Sequence, residues 1–580
     1  MQTPNQVVFT NKARCRDCYR CIRICPVHAI GIRDGQAYVD PQKCICCGTC
    51  IRECPQKAKV YRNDVEMVRD LLHQGGPVAV TIAPSFAAFF QPWQQKRLPS
   101  ALRKLGFAFV AETSVGAYPV AQATRQYFEQ CQQGACISTA CPAVVGFIER
   151  LQPQLAANLA QVVSPMIAHG RMLKIKLGPG TRVVFIGPCV AKKAEADRYP
   201  DKPIDAVLTF QELEEWFESD HLNLANLEES PFDQQPAGWA RLFALAGGAL
   251  KTASENTDML AENTLAMSGV EEIREWIASC GDGKGQHVLV EPLFCRQGCI
   301  NGPAVPQQTL PVFQRRKAVL DYAANLPGVE SIEAIPAGIT EKPYRLNPVA
   351  EEPINEEVIR IILEMSGKKD PSDQLNCGAC GYSTCRQQAI AVFRQMAEPE
   401  MCIPFMRRLA EQKTDKIIDT SPNGIVILDE HLNILNMNPS FRRMFMCSTA
   451  LCGKHISTLI DPDTFEKVAS GQKERLQALI EHKKSGLVCH QIVYALPQEK
   501  QYVGIFVDMT QSLAARKQLD ELRSQTLQQA QNLLSHQIDM ARRIAQFLGE
   551  SSAQGQRLVD NLMQMAQEKN PPRKPLAPEQ

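Results

Sequence analysis

Cysteine is the residue whose number and spacing could do chemistry: 23 occur in 580 residues, most in ordered groups. Cys15-x2-Cys18-x2-Cys21-x3-Cys25-Pro26 recurs as Cys44-x2-Cys47-x2-Cys50-x3-Cys54-Pro55. A 4Fe–4S cubane takes four thiolates; a tight loop supplies three, and the fourth comes from the other repeat where two such loops are paired. Cys15, Cys18, Cys21 and Cys54 are therefore expected to hold one cluster, and Cys44, Cys47, Cys50 and Cys25 a second. Zinc is the alternative for any CxxC pair, but two intact repeats with both prolines weigh against it. Cys46 reads as a bystander thiol. A third group, Cys377-x2-Cys380-Gly381-x3-Cys385 followed by Cys402, again offers four ligands, with a glycine at the sharp turn. It suits one more cubane, zinc again being the alternative. Four further cysteines have distinctive contexts: Thr139-Ala140-Cys141-Pro142, Gly187-Pro188-Cys189-x2-Lys192-x2-Glu195, and Glu291-x3-Cys295-x3-Cys299-x2-Gly302.

The elements that must position these residues are legible in outline. The length exceeds one core and suggests roughly four modules. With 44% hydrophobic and 22% charged residues the chain reads as globular. Lys+Arg (63) nearly cancels Asp+Glu (62), so no field favours nucleic acid or an acidic membrane. Met1 to Arg14 is polar, without the apolar core of a signal peptide, and no apolar run is long enough to span a bilayer. A cytoplasmic protein is expected, with cysteines serving metals rather than disulfides. From Pro77 to Pro348, β-branched runs (Val78–Ile82, Phe107–Ala111, Arg182–Ile186, His287–Val290) alternate with amphipathic helices such as Ser100–Leu105 and Val270–Ala278, which predicts α/β layers. Beyond the third cysteine group come strand-like Gly424–Leu428, a turn at Asp429-Glu430, strand-like Leu432–Met437, Asn438-Pro439 before a helix, and Tyr502–Val507 ending in Asp508-Met509-Thr510. A long helix is expected from Leu513 to Met565. Its alternating steps of three and four (Leu527, Ala530, Leu534, Gln537, Ala541, Ile544, Leu548) predict pairing with another helix, as in a homodimer, or folding back on the preceding domain. Lys569–Gln580 is Pro- and charge-rich and expected to be disordered. Cys131, Cys136, Cys280, Cys447, Cys452 and Cys489 stand apart and read as packing residues.

Several resemblances follow from these residues. The two N-terminal repeats resemble a two-cluster ferredoxin. The third group resembles the small cluster domain of electron-transfer and carbon-monoxide-metabolising complexes, and the Asn-Pro and Asp-x-Thr landmarks resemble a PAS domain. The central motifs resemble the three cluster-binding motifs of [FeFe]-hydrogenases over about half the chain. Ala83-Pro84-Ser85 and Gly247-Gly248 within Phe243–Leu250 match as well. The fold class is thus multidomain α/β and α+β: a ferredoxin module (1–65), an α/β H-cluster domain (75–350), a 4Fe–4S domain (355–412), a PAS domain (413–511), a signalling helix (512–566) and a tail (567–580). The hydrogenase resemblance implies a fourth cubane on Cys141, Cys189, Cys295 and Cys299. It also implies a two-iron site with CO and CN ligands, bridged through Cys299. Lys192 would hydrogen-bond one cyanide, and the backbone around Pro84 and Ser85 would cover the other. Glu195 either pairs with a lysine or serves function.

The departures from that pattern carry as much. Catalytic members of the family have a proton-relaying cysteine where this chain has Ala140. Their proton path continues through glutamates, whereas Thr113 through Phe128, beginning Thr113-Ser114-Val115-Gly116-Ala117, holds no carboxylate. Flanking methionines correspond to Gly187 and Leu293, and the glycine run after the fourth ligand is cut to Gly302-Pro303. A slow hydrogenase is expected, and this set of modules resembles the sensory [FeFe]-hydrogenases. Dihydrogen and protons would be its substrates, with a redox partner protein and a separate effector, such as a kinase or phosphatase. His536 reads as a solvated helix residue. The alternatives are a slow metabolic hydrogenase and a non-enzymatic iron–sulfur scaffold without the two-iron site.

Overall fold

In a computed structural model, residues 6–565 are described, apart from 34, 132–133, 237, 254–256, 258–260, 281–286, 306–309, 326–335, 343, 345–347, 349–352 and 551–558. The tail expected from Lys569 and the side chains of Ile544 and Leu548 lie outside the described residues. The chain divides into two compact units, Met1–Met406 and Arg407–Gln580.

In the first unit, Val78–Ile82 is buried at every position. A strand covered on both faces has no polar side to present, so the run is continuously apolar rather than alternating. It lies inside a four-stranded parallel sheet ordered Phe109–Glu112, Val78–Ile82, Arg182–Gly187, Ala206–Thr209. A second parallel sheet runs Thr264–Ser268, Val288–Leu293, Ala135–Ile137. Helices cross over between successive strands, as parallel pairing demands. The expected strands are present, Val78–Ile82 with its expected ends and the others with ends shifted by at most three residues.

The N-terminal cysteine loops are held by two small antiparallel pairs, Val8–Thr10 with Lys59–Tyr61 and Ile30–Arg33 with Gln36–Val39. The two loops share a backbone path. Asp17 and Cys46 both have φ 55°, Tyr19 (56°) matches Gly48 (74°), and His28 (46°) matches Lys57 (48°). Gly48 sits against Pro303, where a Cβ would come within 2.4 Å of the proline ring. The second loop is therefore pressed onto the central domain. The third cysteine group packs against the first two: the Tyr382 ring stacks on His28 at 4.9 Å, and Tyr19 donates to Glu398 at 2.7 Å.

The second unit is a five-stranded antiparallel sheet ordered Ile434–Met437, Gly424–Leu428, Gln501–Asp508, Leu487–Leu496, Arg475–His482. Asn438 caps the helix Pro439–Met444 by accepting from the Phe441 amide at 2.9 Å, which is why Asn-Pro stands there. The helix Thr510–Glu550 follows. Leu519, Leu522, Leu527, Leu534 and Ile538 on it are each at least half exposed. Folding back onto the PAS-like sheet, one of the two expected arrangements, is not what these described residues do.

Candidate metal centre

The parallel strands deliver their chemistry at their carboxyl ends, where the chain leaves the hydrogen-bond ladder and side chains can converge. Pro84 and Ser85 follow Val78–Ile82, and Thr113 follows Phe109–Glu112. Ala140 and Cys141 follow Ala135–Ile137, Cys189 follows Arg182–Gly187, and Cys295 and Cys299 follow Val288–Leu293. All of them line one cavity, together with Lys192. It encloses about 90 Å³, several times the roughly 10–15 Å³ that one water needs. Most of the remaining wall is alanine, proline, phenylalanine and leucine, including Leu293 and Phe243. Cys47, from the second N-terminal loop, forms part of it.

Burial governs the thiols. It pushes Cys189 up to about 11 and raises Cys295 and Cys299 further. Left without positive charge these groups stay protonated; bound iron would supply the charge that lets them sit here as thiolates. Ser85 is 1% exposed and its Oγ has no partner. A buried hydroxyl in that state is costly unless something in the cavity bonds it. The cysteine quartet, the size of the space and this orphan hydroxyl fit a multi-atom iron group. Among the described residues no three His, Cys, Asp or Glu side chains converge as around a single metal ion.

Lys192 reaches the cavity with Nζ 2.8 Å from Glu195 and 3.4 Å from the Ala140 carbonyl. The pairing expected of Glu195 is therefore with Lys192 itself. The adjacent Lys193 has a different fate. Fully buried, it bonds Asp64 and Glu212, each at 3.0 Å, and ties the N-terminal module to the central domain. Gly248 permits a close approach: a Cβ there would lie 1.8 Å from the Leu242 carbonyl.

Glu291 was not singled out by the sequence except as part of a motif. Burial raises its carboxyl to about 7, against the pull of backbone amides. Oε2 accepts from the Leu250 amide at 3.0 Å, and Oε1 has no partner. Glu112, next to the carboxylate-free stretch, is held by Arg241 (2.8 Å), Tyr322 (2.9 Å) and Ser114 (2.8 Å). No unusual signal in the sequence marks either glutamate, because Arg241 and Tyr322, and the Leu250 amide for Glu291, lie far along the chain.

The N-terminal ligand candidates Cys15, Cys18, Cys21, Cys25, Cys44, Cys47, Cys50 and Cys54 lie on the paired loops. Cys377, Cys380 and Cys385 lie on a loop that ends in the helix Cys385–Phe393, and Cys402 immediately precedes the helix Ile403–Thr420.

Comparison with known proteins agrees with this division. A family model for the C-terminal domain of the iron only hydrogenase large subunit matches residues 76–303. One described as "Putative Fe-S cluster" matches 373–404, and the PAS fold matches 412–495. The chain is similar to Iron hydrogenase 1 of Clostridium pasteurianum, 24% identical over 260 residues, covering 36% of this chain and 45% of that protein. It is also similar to the cytosolic Fe-S cluster assembly factor NAR1 of Encephalitozoon cuniculi (strain GB-M1), 27% identical over 198 residues, covering 30% of this chain and 54% of that one. It thus spans about half the length of these curated relatives. Among solved structures, a variant of [FeFe]-hydrogenase HydA1 from Chlamydomonas reinhardtii aligns at 18% identity and TM-score 0.39, over 50% of this chain and 100% of that one. The PAS domain of an HTR-like protein from Haloarcula marismortui aligns at 17% identity and TM-score 0.15, over 17% of this chain and 98% of that one. The polypeptide carries an [FeFe]-hydrogenase-like domain and a PAS domain, an architecture consistent with redox or sensory signalling. Among the described residues no helix is long and apolar enough to cross a membrane.

Proposed function

We propose that this protein senses dihydrogen or redox state at the cysteine-lined cavity and passes the signal to its PAS domain. The observation that carries the reading is the convergence of Cys141, Cys189, Cys295, Cys299, Lys192 and the unpartnered Ser85 on one apolar space. When bound there, a cubane with a two-iron unit supplies an open low-valent site for dihydrogen and a store for electrons. The chain's own residues hold and orient that group. The four cysteines would hold it, Cys299 as the ligand shared with the two-iron unit; Lys192, fixed by Glu195, and Ser85 would offer donors to its anionic ligands. The apolar wall excludes water. Ala140 cannot take up a proton, so turnover is slow.

The onward path follows contact order. Cys47 lines the cavity, the N-terminal loops touch the third group through His28–Tyr382 and Tyr19–Glu398, and Cys402 leads into the helix before the first PAS strand. Two 4Fe–4S clusters on the N-terminal loops and one on Cys377, Cys380, Cys385 and Cys402 serve as relays in this reading. A redox partner protein exchanges electrons, and a separate effector such as a kinase or phosphatase reads the output. The exposed leucines of Thr510–Glu550 give a homodimer its seam.

Infrared spectroscopy of the matured protein tests this. Bands for bound carbon monoxide and cyanide that change under dihydrogen support the sensor. Their absence leaves the second reading, an iron–sulfur scaffold, which the match to a cluster assembly factor favours.

A further inference from the structure

The cavity has lost its thiol at position 140, yet its wall opens onto a line of buried polar groups that the reading above does not use. Thr113 lines the cavity. Its Oγ1 lies 2.7 Å from Thr81 Oγ1, which lies 2.7 Å from His169 Nδ1. On the far side of the ring, Nε2 lies 3.2 Å from Gln234 Oε1. Thr81 and His169 are 0% exposed and Thr113 3%, while Gln234 is half-buried between exposed Asp233 and Gln235. The line therefore runs from the cavity through the core to the surface.

Chemistry fixes its polarity. A Gln carbonyl oxygen only accepts, so Nε2 carries the imidazole proton and Nδ1 is bare. Thr81 must then donate to Nδ1, and Thr113 to Thr81. Thr113 is left with its lone pairs free toward the cavity. Burial, with Lys176 adding to it, lowers the His169 imidazole to about 4, so the ring is neutral at neutral pH. Packing fixes where the ring is rooted: Gly116 lies so close to His169 that a Cβ there would sit 2.5 Å from the histidine Cβ. Thr81 alone would satisfy the buried Nδ1; the second hydroxyl, Thr113, is what carries the line on to the cavity wall.

We propose that Thr113, Thr81, His169 and Gln234 form a proton relay between the cavity and solvent, replacing the route closed by Ala140. A proton released in the cavity joins Thr113 Oγ1 as that hydroxyl's own proton moves to Thr81. The Thr81 proton moves to His169 Nδ1, and the Nε2 proton passes to solvent water at the half-buried Gln234, whose Oε1 only orients the ring. One proton enters, one leaves, and the ring ends as its other tautomer; rotation of the two hydroxyls and reorientation of the ring restore the starting line before the next proton passes. Glu112 and Glu195 are not available for this task, since Arg241 and Lys192 hold them.

The relay rests on the reading of the cavity as a dihydrogen site, and the test separates the two. Thr81→Val removes the middle hydroxyl at nearly constant volume, and Thr81→Ser restores it. In matured protein with unchanged carbon monoxide and cyanide bands, Thr81→Val should lower hydrogen turnover about a hundredfold or more, the scale of a positioned acid–base group. Thr81→Ser should recover it. Turnover equal to wild type in Thr81→Val, or loss equally deep in Thr81→Ser, overturns the relay. So does a Glu291→Gln variant that loses turnover while Thr81→Val does not. A second readout needs no two-iron site. Nitrogen NMR of His169 in the protein as isolated should show the Nε2-protonated neutral ring at neutral pH, and Thr81→Val should shift it toward a mixture. A ring protonated on Nδ1 in wild type overturns the proposed polarity and the relay with it. Missing infrared bands would sink the dihydrogen site, leaving the NMR result to decide the hydrogen-bond line.

Discussion

The cavity cysteines and the third cysteine group both offer four thiols, but they are built in opposite ways. Cys141, Cys189, Cys295 and Cys299 come from three strand ends in two sheets and meet in an apolar enclosure. Cys377, Cys380 and Cys385 sit on one short loop. Cys377 is exposed, Cys380 and Cys385 are half-buried, and only Cys402, from beyond a helix, is buried. The first site exists only when the domain is folded and is tuned by everything packed around it. The second is nearly complete in local sequence and open to exchange with its surroundings. A buried site suits chemistry that water would spoil; an exposed loop suits passing electrons onward.

The sharpest test of this contrast is Cys299→Ala. Because Cys299 is the proposed bridge, the carbon monoxide and cyanide bands should vanish entirely, while iron at the other groups remains. Bands surviving in this variant would break the assignment of the cavity. Next in size, Cys377→Ala should remove one cluster, about four iron atoms, with the cavity's infrared bands unchanged. Mössbauer spectroscopy with metal analysis measures both. Zinc at Cys377, Cys380, Cys385 and Cys402 in wild type would remove the relay to the PAS domain.

The same contrast explains what could be read before folding. Loop spacing is local, so the N-terminal and third cysteine groups stand out as candidate ligand sets, and the buried strand Val78–Ile82 and the Asn438 cap were visible as well. The cavity was visible only because its motifs resemble a family; nothing in the spacing between Cys141 and Cys299 says that they meet. Contacts between distant residues left no local mark. The partnerless Ser85 hydroxyl, the split between Lys192 and Lys193, and the line from Thr81 to His169 follow from packing. The solvent-facing leucines of Thr510–Glu550 are the converse case: their helical spacing was plain, and their partner is not within the described residues of the chain.

A smaller effect is expected from Ala140→Cys. A thiol at the cavity wall can take up and release a proton, so turnover should rise. The gain should stay below about a hundredfold, because Thr113 to Phe128 holds no carboxylate to continue the route. Turnover in wild type already as fast as in metabolic hydrogenases would defeat the sensor reading whatever the variant does.

Glu291 probes the buried side through stability alone. Burial raises its folded carboxyl to about 7, against 4.5 for a free glutamate, so the folded state binds the proton more tightly than the unfolded chain. Between those values the folded state holds more protons, and stability falls as pH rises. Glu291→Gln, always neutral, should flatten that fall and be the more stable form above pH 7, by roughly 3 kcal/mol at most. Thermal unfolding of apoprotein at pH 5 and pH 8 measures it. A midpoint difference between variant and wild type that does not grow with pH would show that Glu291 ionises freely.

The smallest effect is predicted for the exposed-loop side of the contrast. Cys46→Ala should leave the iron content of every cluster unchanged, although Cys46 stands between two proposed ligands. Cys46 occupies the loop position held by Asp17 in the first repeat, and both residues have φ 55°. An aspartate does the same backbone work there, so the position is set by the left-handed turn and not by a fourth thiolate. Cys46 does contact Cys44: its amide donates to the Cys44 sulfur at 3.4 Å. That bond comes from the backbone and survives the substitution. Alanine and cysteine meet the same left-handed penalty, since both carry a Cβ, so stability should barely move. Iron analysis and the electron paramagnetic resonance of the reduced N-terminal clusters, compared between wild type and Cys46→Ala, decide the matter. Loss of one cluster would make Cys46 a ligand and would require reassigning Cys44, Cys47, Cys50 and Cys25.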